Sequence, residues 1–382
     1  MLGSSSFAPR HSMRASSALS LSSVQPVAAW LTYLLRQLFL GIFLEIMQIF
    51  FSVGYGYSQK MDIFAIVYTD DMKKVIAFAL MLLVSFSGEA RNPRVWRTLK
   101  KDINIFVVSD SGRNGYYLQK PVAELMGRMA ESISPDYIVT TGDVHHFEGV
   151  QSVHDPLWMT NYELIYSHPK LMVPWLAALG NHEYRGDTNA VLDYSNISRR
   201  WVMPDRYYTK VYKEDGASIR LIIIDTSPLI SRYRKSKVNY KDAYLQSEEA
   251  QIEWLDSVLK SATEDWIVVA GHHPIYADTS KSKKERTDLQ QKVDTVMRKY
   301  GNVDMYLCGH IHNFQHIRVE GSDIDYIVNS SAALSRDVEA VEGTQFCSPK
   351  VGFSVVTADK ESICLHMIDD KGRVLHTVTR TK

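Results

Sequence analysis

The sequence predicts an α/β architecture in which two packed sheets are flanked by helices, and three observations carry that reading. Short apolar runs rich in β-branched residues recur from residue 103 onward, and each breaks abruptly into a polar cluster opening with Gly, Asp or Ser. Longer stretches of helical periodicity lie between some of them. The C-terminal stretch changes character, with strand-like segments separated only by turn residues.

In chain order, INIFVV from Ile103 leads to SDSG, YIVTT from Tyr137 to GDVHH, and WLAAL from Trp175 to GNHEY. RLIII from Arg220 then leads to DTS, WIVVA from Trp266 to GHHP, and VDMYLC from Val303 to GHIH. Runs of this kind read as buried strands whose ends open into loops. In PVAELMGRMAESI, Val122, Leu125, Met126 and Met129 recur at helical intervals, and QSEEAQIEWLDSVLKSA behaves similarly. Alternating strands and helices imply a largely buried sheet. DYIVNSSAAL, GFSVVTADK, SICLHMIDDKG and RVLHTVTR read as one antiparallel meander.

The chain has 382 residues, 43 Lys and Arg against 43 Asp and Glu, and a formal net charge of zero. That balance excludes a nucleic-acid binder relying on a bulk basic surface and an acidic disordered tail. The three cysteines, Cys308, Cys347 and Cys364, are too few for a disulfide scaffold or a four-cysteine zinc site.

The N-terminal part reads differently. Residues 1–23 are Ser-rich, and residues 27–57 are apolar but interrupted by Arg36 and Glu45. Met72, Lys73 and Lys74 precede an apolar core from Val75 to Val84, and Gly88 and Ala90 follow. Basic start, apolar core and small-residue exit form a secretory signal peptide over 72–90. Residues 1–71 then read as a non-native or disordered, apolar extension, and 91–382 as one large domain expected to be secreted or periplasmic. Retention of the apolar stretch as a membrane anchor is the alternative.

The strand ends carry Asp110, Asp143, Asn181 with His182, His272, and His310 with His312. Each alone reads as a turn former, helix cap or satisfied histidine. Together they are oxygen and nitrogen donors suited to borderline metals, all at positions that strands of a sheet deliver to a common edge. His310 and His312 can straddle two ions, which at roughly 3.5–4 Å apart need one bridging carboxylate, with Asp143 as the candidate.

Asp110-x-Gly112, Gly142-Asp143, Gly180-Asn181-His182-Glu183, Gly271-His272 and Gly309-His310-x-His312 resemble the five-block signature of the calcineurin-like metallophosphoesterases. The Asp-x-Gly first block, with FEGVQSVHD, YSNISRRWVMPDRYYT and QIEWLDSVL, is most similar to small purple acid phosphatases of the tartrate-resistant type 5 kind. The resemblance implies a four-layer α-β-β-α sandwich of two mixed sheets and an acid phosphatase that hydrolyses phosphomonoesters with a metal-activated hydroxide. It implies that Asp110 and His312 hold one ion, that Asp143 bridges, and that Asn181, His272 and His310 hold the other. His182 would contact phosphate and protonate the leaving group, Glu183 would orient it, and Asn181 would also meet substrate.

Two departures matter. The family's second block places a metal-binding Tyr where this chain has His146, with His145 the lesser candidate. A neutral imidazole in place of tyrosinate disfavours the purple ferric form, so the expected pair is Fe with Zn, Mn or Fe in a colourless or weakly coloured protein. The loop after His272 lacks the family's further His, leaving His273 or a Lys of SKSKKER (residues 280–286) to meet phosphate. Substrate choice is expected from loops around Tyr116–Tyr117, Asp155–Trp158 and Asp278–Arg286. The expected partners are small phosphate esters, with neither nucleic acid nor a stable protein partner. Alternatives are a phosphodiesterase or nucleotide hydrolase on the same centre, and a non-catalytic metal- or phosphate-binding surface protein.

Overall fold

Residues 93–382 are described by a computed structural model, so the signal peptide expected over 72–90 and the extension expected over 1–71 lie outside the described residues. The six apolar runs contain strands β1 (Ile103–Val108), β2 (Tyr137–Thr140), β3 (Trp175–Ala177), β6 (Ala217–Ile223), β7 (Trp266–Ala270) and β8 (Met305–Cys308). To these the structure adds β4 (Trp201–Val202), β5 (Tyr208–Glu214), β9 (Phe314–Ile317), β10 (Asp325–Val328), β11 (Thr344–Ser348), β12 (Gly352–Ala358), β13 (Ser362–Asp369) and β14 (Val374–Thr381).

They form two seven-stranded mixed sheets, ordered β14-β13-β12-β1-β2-β3-β4 and β11-β9-β10-β8-β7-β6-β5. In the first sheet β1 to β4 run parallel, β12 pairs antiparallel with β1, and β13 and β14 continue the sheet as successive antiparallel neighbours. In the second, β6, β7, β8 and β10 run parallel between antiparallel edges. One cluster of buried apolar side chains includes residues of both sheets. The Trp266 indole N–H of the second sheet donates to the Asp359 carbonyl beside the first, at 2.6 Å.

Two helices match the periodic segments. α1 (Gln119–Ile133) buries Val122, Leu125, Met126 and Met129 and ends at Ser134, whose N–H still donates to the Ala130 carbonyl and whose left-handed backbone then turns the chain out of the helix. α2 (Glu248–Ser261) starts where the Ser247 hydroxyl accepts from the Ala250 N–H, with Glu248 and Glu249 favouring its positive end.

The single-meander expectation is corrected. β12, β13 and β14 form it, but β10 belongs to the second sheet, parallel to β8 and antiparallel to β9. The chain after β10 then crosses towards β1. Asn329 Nδ2 donates to the Val107 carbonyl, the Ala332 N–H to the Ser109 carbonyl, and the Ser331 hydroxyl to the Asp110 carbonyl. Turn residues punctuate a sheet change and a hairpin alike.

Candidate metal centre

The loops after β1, β2 and β8 are bent by unusual backbone. Asp110, Asp143, His310 and His312 have φ of 48°, 54°, 70° and 60°, a region that side chains rarely adopt. Such strain persists where the surroundings over-determine it, as at functional sites. Close approach explains the neighbouring glycines. A Cβ on Gly112 would lie 2.0 Å from the Val144 carbonyl oxygen, and one on Gly309 would lie 1.7 Å from the Ser109 hydroxyl.

The two sheets are stitched together here. The His310 N–H donates to Asp110 Oδ2 at 2.8 Å, and His272 Nδ1 lies 2.8 Å from the Thr141 carbonyl. That second contact requires the proton on Nδ1, so Nε2 is the nitrogen that could hold a cation, which would displace any proton there. Around His272 Nε2 stand His310 Nδ1 at 3.1 Å, Asp143 Oδ2 at 3.2 Å and Asn181 Oδ1 at 3.3 Å. Asp110 Oδ1 faces His312 Nε2 at 3.2 Å, and Asp143 Oδ2 faces His146 Nε2 at 3.5 Å. Potential donor atoms of Asp110, His146 and His312 fall in one group, and those of Asp110, Asp143 and His272 in another. The structure thus brings together all seven residues expected to hold metal. His145 is apart, buried edge-on against Trp158 at 4.4 Å.

The electrostatics fit a cation pair. Burial opposes ionisation of Asp110 and Asp143, yet the surrounding histidines hold both carboxyls well below the usual range. Burial likewise opposes charge on His272, but Asp143 and Asp110 carry it up to about 9. His146 and His310 are driven neutral, chiefly by burial. Asp110 Oδ1, His146 Nδ1, His310 Nε2 and His312 Nδ1 are buried without a hydrogen-bond partner. Buried carboxylates, neutral imidazoles and unpartnered polar atoms on one spot are what a bound metal pair would satisfy.

His182 Nδ1 lies 2.6 Å from the Phe147 carbonyl, and its Nε2 lies 3.8 Å from Asp143 Oδ2. Two expectations change. Glu183 does not orient His182. Its carboxylate accepts from the backbone N–H groups of Asp143, Val144, His145 and Gly180 at 2.8–3.2 Å, because four buried amides outcompete one imidazole. Burial and the nearby Asp143 push its pKa up to about 7. His273 is fully buried, with Nδ1 2.8 Å from the Thr226 hydroxyl and Nε2 2.9 Å from the Tyr233 hydroxyl, which leaves neither ring nitrogen for a substrate.

Of the three loops expected to govern substrate choice, Asp155–Trp158 turns its aromatic inward, with Trp158 stacked on Tyr194 at 3.5 Å. Tyr116 and Tyr117 are exposed beside the centre. Within SKSKKER, Lys281 is the lysine that interacts with Asp143 and Asp110, while Lys284 pairs with Asp288 at 2.7 Å. Sequence reasoning missed Glu285, whose Oε2 stands 3.5 Å behind His310 Nε2, and Arg113. Arg113 directly follows the Asp110-x-Gly112 block, which is the signal that could have found it.

A family model described as calcineurin-like phosphoesterase matches residues 103–314. Purple acid phosphatase 3 of Arabidopsis thaliana is 28% identical over 328 residues, covering 80% of this chain and 87% of that protein. Tartrate-resistant acid phosphatase type 5 of Oryctolagus cuniculus is 30% identical over 214 residues, 55% of this chain and 65% of that protein. Among solved structures, one titled GAP50, the anchor in the inner membrane complex of Plasmodium, aligns with a TM-score of 0.62 at 24% identity, covering 73% and 88% of the two chains. That last likeness concerns the fold alone.

Proposed function

Because the chain belongs to the calcineurin-like phosphoesterase family, we propose that it is a binuclear-metal acid phosphatase acting on small phosphomonoesters. The observation that carries this reading is the convergence of Asp143, Asn181 and His310 within 3.3 Å of His272 Nε2, with Asp110, His146 and His312 beside them. Bound there, a pair of ions would supply Lewis-acid polarisation of the phosphoryl oxygens and an acidified water.

The chain's own residues supply the rest. Asp110 and Asp143 offset two of the four positive charges that two divalent ions bring, which leaves about two to match a phosphate dianion. His182, held through Nδ1 by the Phe147 carbonyl, directs Nε2 at the centre, where it can give a proton to the departing oxygen. Asn181, whose Oδ1 lies 3.3 Å from His272 Nε2, can also meet the phosphate, and Lys281 contributes positive charge near Asp143 and Asp110. No Ser or Cys nucleophile is needed, and Cys308 is a buried packing residue whose thiol donates to the Ile327 carbonyl.

Loading the protein with Fe, Zn or Mn and comparing p-nitrophenyl phosphate with bis(p-nitrophenyl) phosphate tests the reading. The monoester is expected to be turned over faster, and absence of turnover on both with metal bound would sink it. The export signal from Met72 makes the proposed location secreted or periplasmic, which cell fractionation decides.

A further inference from the structure

Outside the seven residues of the metal centre, two histidines from different sheets meet nitrogen to nitrogen. Nδ1 of His316, on β9, lies 3.0 Å from Nε2 of His376, on β14. β9 belongs to the second sheet and β14 is the last strand of the first, so the pair joins the two sheets. Both rings are held. His376 lies flat against Phe346 of β11, with ring centres 4.7 Å apart and planes within 1° of parallel. His316 is buried, and its Nε2 lies 2.8 Å from Asp325 Oδ1 on β10.

Asp325 decides which nitrogen of His316 carries the proton. Burial opposes charge on this carboxyl, but hydrogen bonds from His316, Arg318 and Arg380 hold it ionised, with its pKa at about 2. An ionised carboxylate only accepts, so His316 donates from Nε2 and its neutral ring turns the Nδ1 lone pair towards His376. A carboxylate behind the far nitrogen of an imidazole is the arrangement that orients metal-binding histidines. Burial, and after it His316, lower the proton affinity of His376, so its neutral ring can give up the proton at Nε2 to make way for a cation.

We propose that His316 and His376 form a mononuclear site for a divalent transition metal, Cu(II) above all, that pins the two sheets together. The spacing selects the ion. Nitrogens bound at 2.0–2.1 Å lie about 2.8–3.0 Å apart at a right angle and about 3.3–3.4 Å apart at a tetrahedral one. The observed 3.0 Å matches the right angle of tetragonal Cu(II) or Ni(II), of which copper binds nitrogen donors more tightly. The ion takes the place of the proton between the rings, with the His376 ring proton moved to Nδ1. His376 is half-buried, so water can fill the open positions. Neither histidine belongs to the phosphatase centre, so such a clip acts on stability and stands whether or not the phosphatase reading holds.

The test uses the full chain with zinc loaded first and Cu(II) then added as the probe, with His376→Gln and His316→Gln as variants. Elemental analysis after dialysis counts both metals, and electron paramagnetic resonance reads the copper ligands, zinc being silent. The wild type is expected to take up one Cu(II) per chain while keeping its zinc, with a tetragonal spectrum split by two imidazole nitrogens. Each variant should bind that copper more than about a hundredfold more weakly, beyond the cost of losing a residue that merely orients a ligand, and should keep the same zinc. At about 100 times the Kd for Cu(II), the wild-type melting midpoint should rise by about 4 °C and those of the variants should stay put. No copper uptake, copper that enters only as zinc leaves, a spectrum with other than two imidazoles, or equally tight binding by the variants would overturn the proposal. Should a variant fail to fold, the nitrogen count and zinc balance of the wild type still decide.

Discussion

His272 Nε2 stands 3.2 Å from Asp143 Oδ2, and the tautomer that makes it a donor to a cation is fixed behind it by the Thr141 carbonyl. Asp143 also faces His146 and His182 with the same oxygen, so it is the carboxylate with most to lose. Asp143→Ala is expected to release both ions and to lower turnover by ~10³-fold or more, the several kcal/mol that metal polarisation supplies. Elemental analysis of metal per chain checks this, and a variant that kept two ions and full activity would remove Asp143 from the bridge.

His182→Ala separates proton delivery from metal binding. Because His182 is anchored by the Phe147 carbonyl, its removal should leave the metal content intact while kcat falls ~10²–10⁴-fold. The loss should be steeper for alkyl phosphates than for p-nitrophenyl phosphate, since a poor leaving group depends more on an acid. A loss independent of the leaving group would point to phosphate binding instead.

Glu183→Ala should act mainly on stability. Four backbone N–H groups converge on its carboxylate and tie the loop after β2 to the loop after β3. Orphaning them is expected to cost about 3 kcal/mol or more, read as a lowered denaturant midpoint. An unchanged midpoint with a selective fall in kcat would return Glu183 to the orienting role that its neighbour His182 suggested.

Glu183 also marks the boundary of what the chain disclosed before folding. Buried parallel strands write continuous apolar runs, and their Gly and Asp exits are abrupt, so the strand ends carrying Asp110, Asp143, His272 and His310 were legible. β5 was not, because after Tyr208 its residues are only half-buried or exposed at a sheet edge and write no apolar run. Nor was the sheet to which β10 belongs, since strand pairing depends on contacts distant in sequence. The directions of Glu183, His273 and Arg113 were hidden for a similar reason. Which of several nearby partners a polar side chain takes is decided by the packed loops, not by the residue's type.

Colour tests the tyrosine position. His146 occupies it, and its Nε2 reaches Asp143 Oδ2 rather than supplying a phenolate. The protein loaded with iron is expected to show no strong visible charge-transfer band, and His146→Tyr should gain one with ferric iron bound. Visible absorption of the two metal-loaded proteins settles the point, and an intense band in the wild type would contradict it.

A last expectation concerns acid stability, away from the centre. His366 on β13 shares a hydrogen bond with the Thr377 hydroxyl of β14 at 3.0 Å. Burial first, and Lys101 second, lower its pKa from 6.5 to about 4. A native imidazole that refuses a proton accepted by the unfolded chain makes stability fall as pH drops below 6.5, with the decline levelling off below about 4. The whole effect is about 3 kcal/mol at most. His366→Gln keeps a hydrogen-bonding group but cannot titrate, so its denaturation midpoint should be flatter across that window than the wild type's. Parallel pH profiles for the two proteins would mean that the acid sensitivity of the fold arises elsewhere.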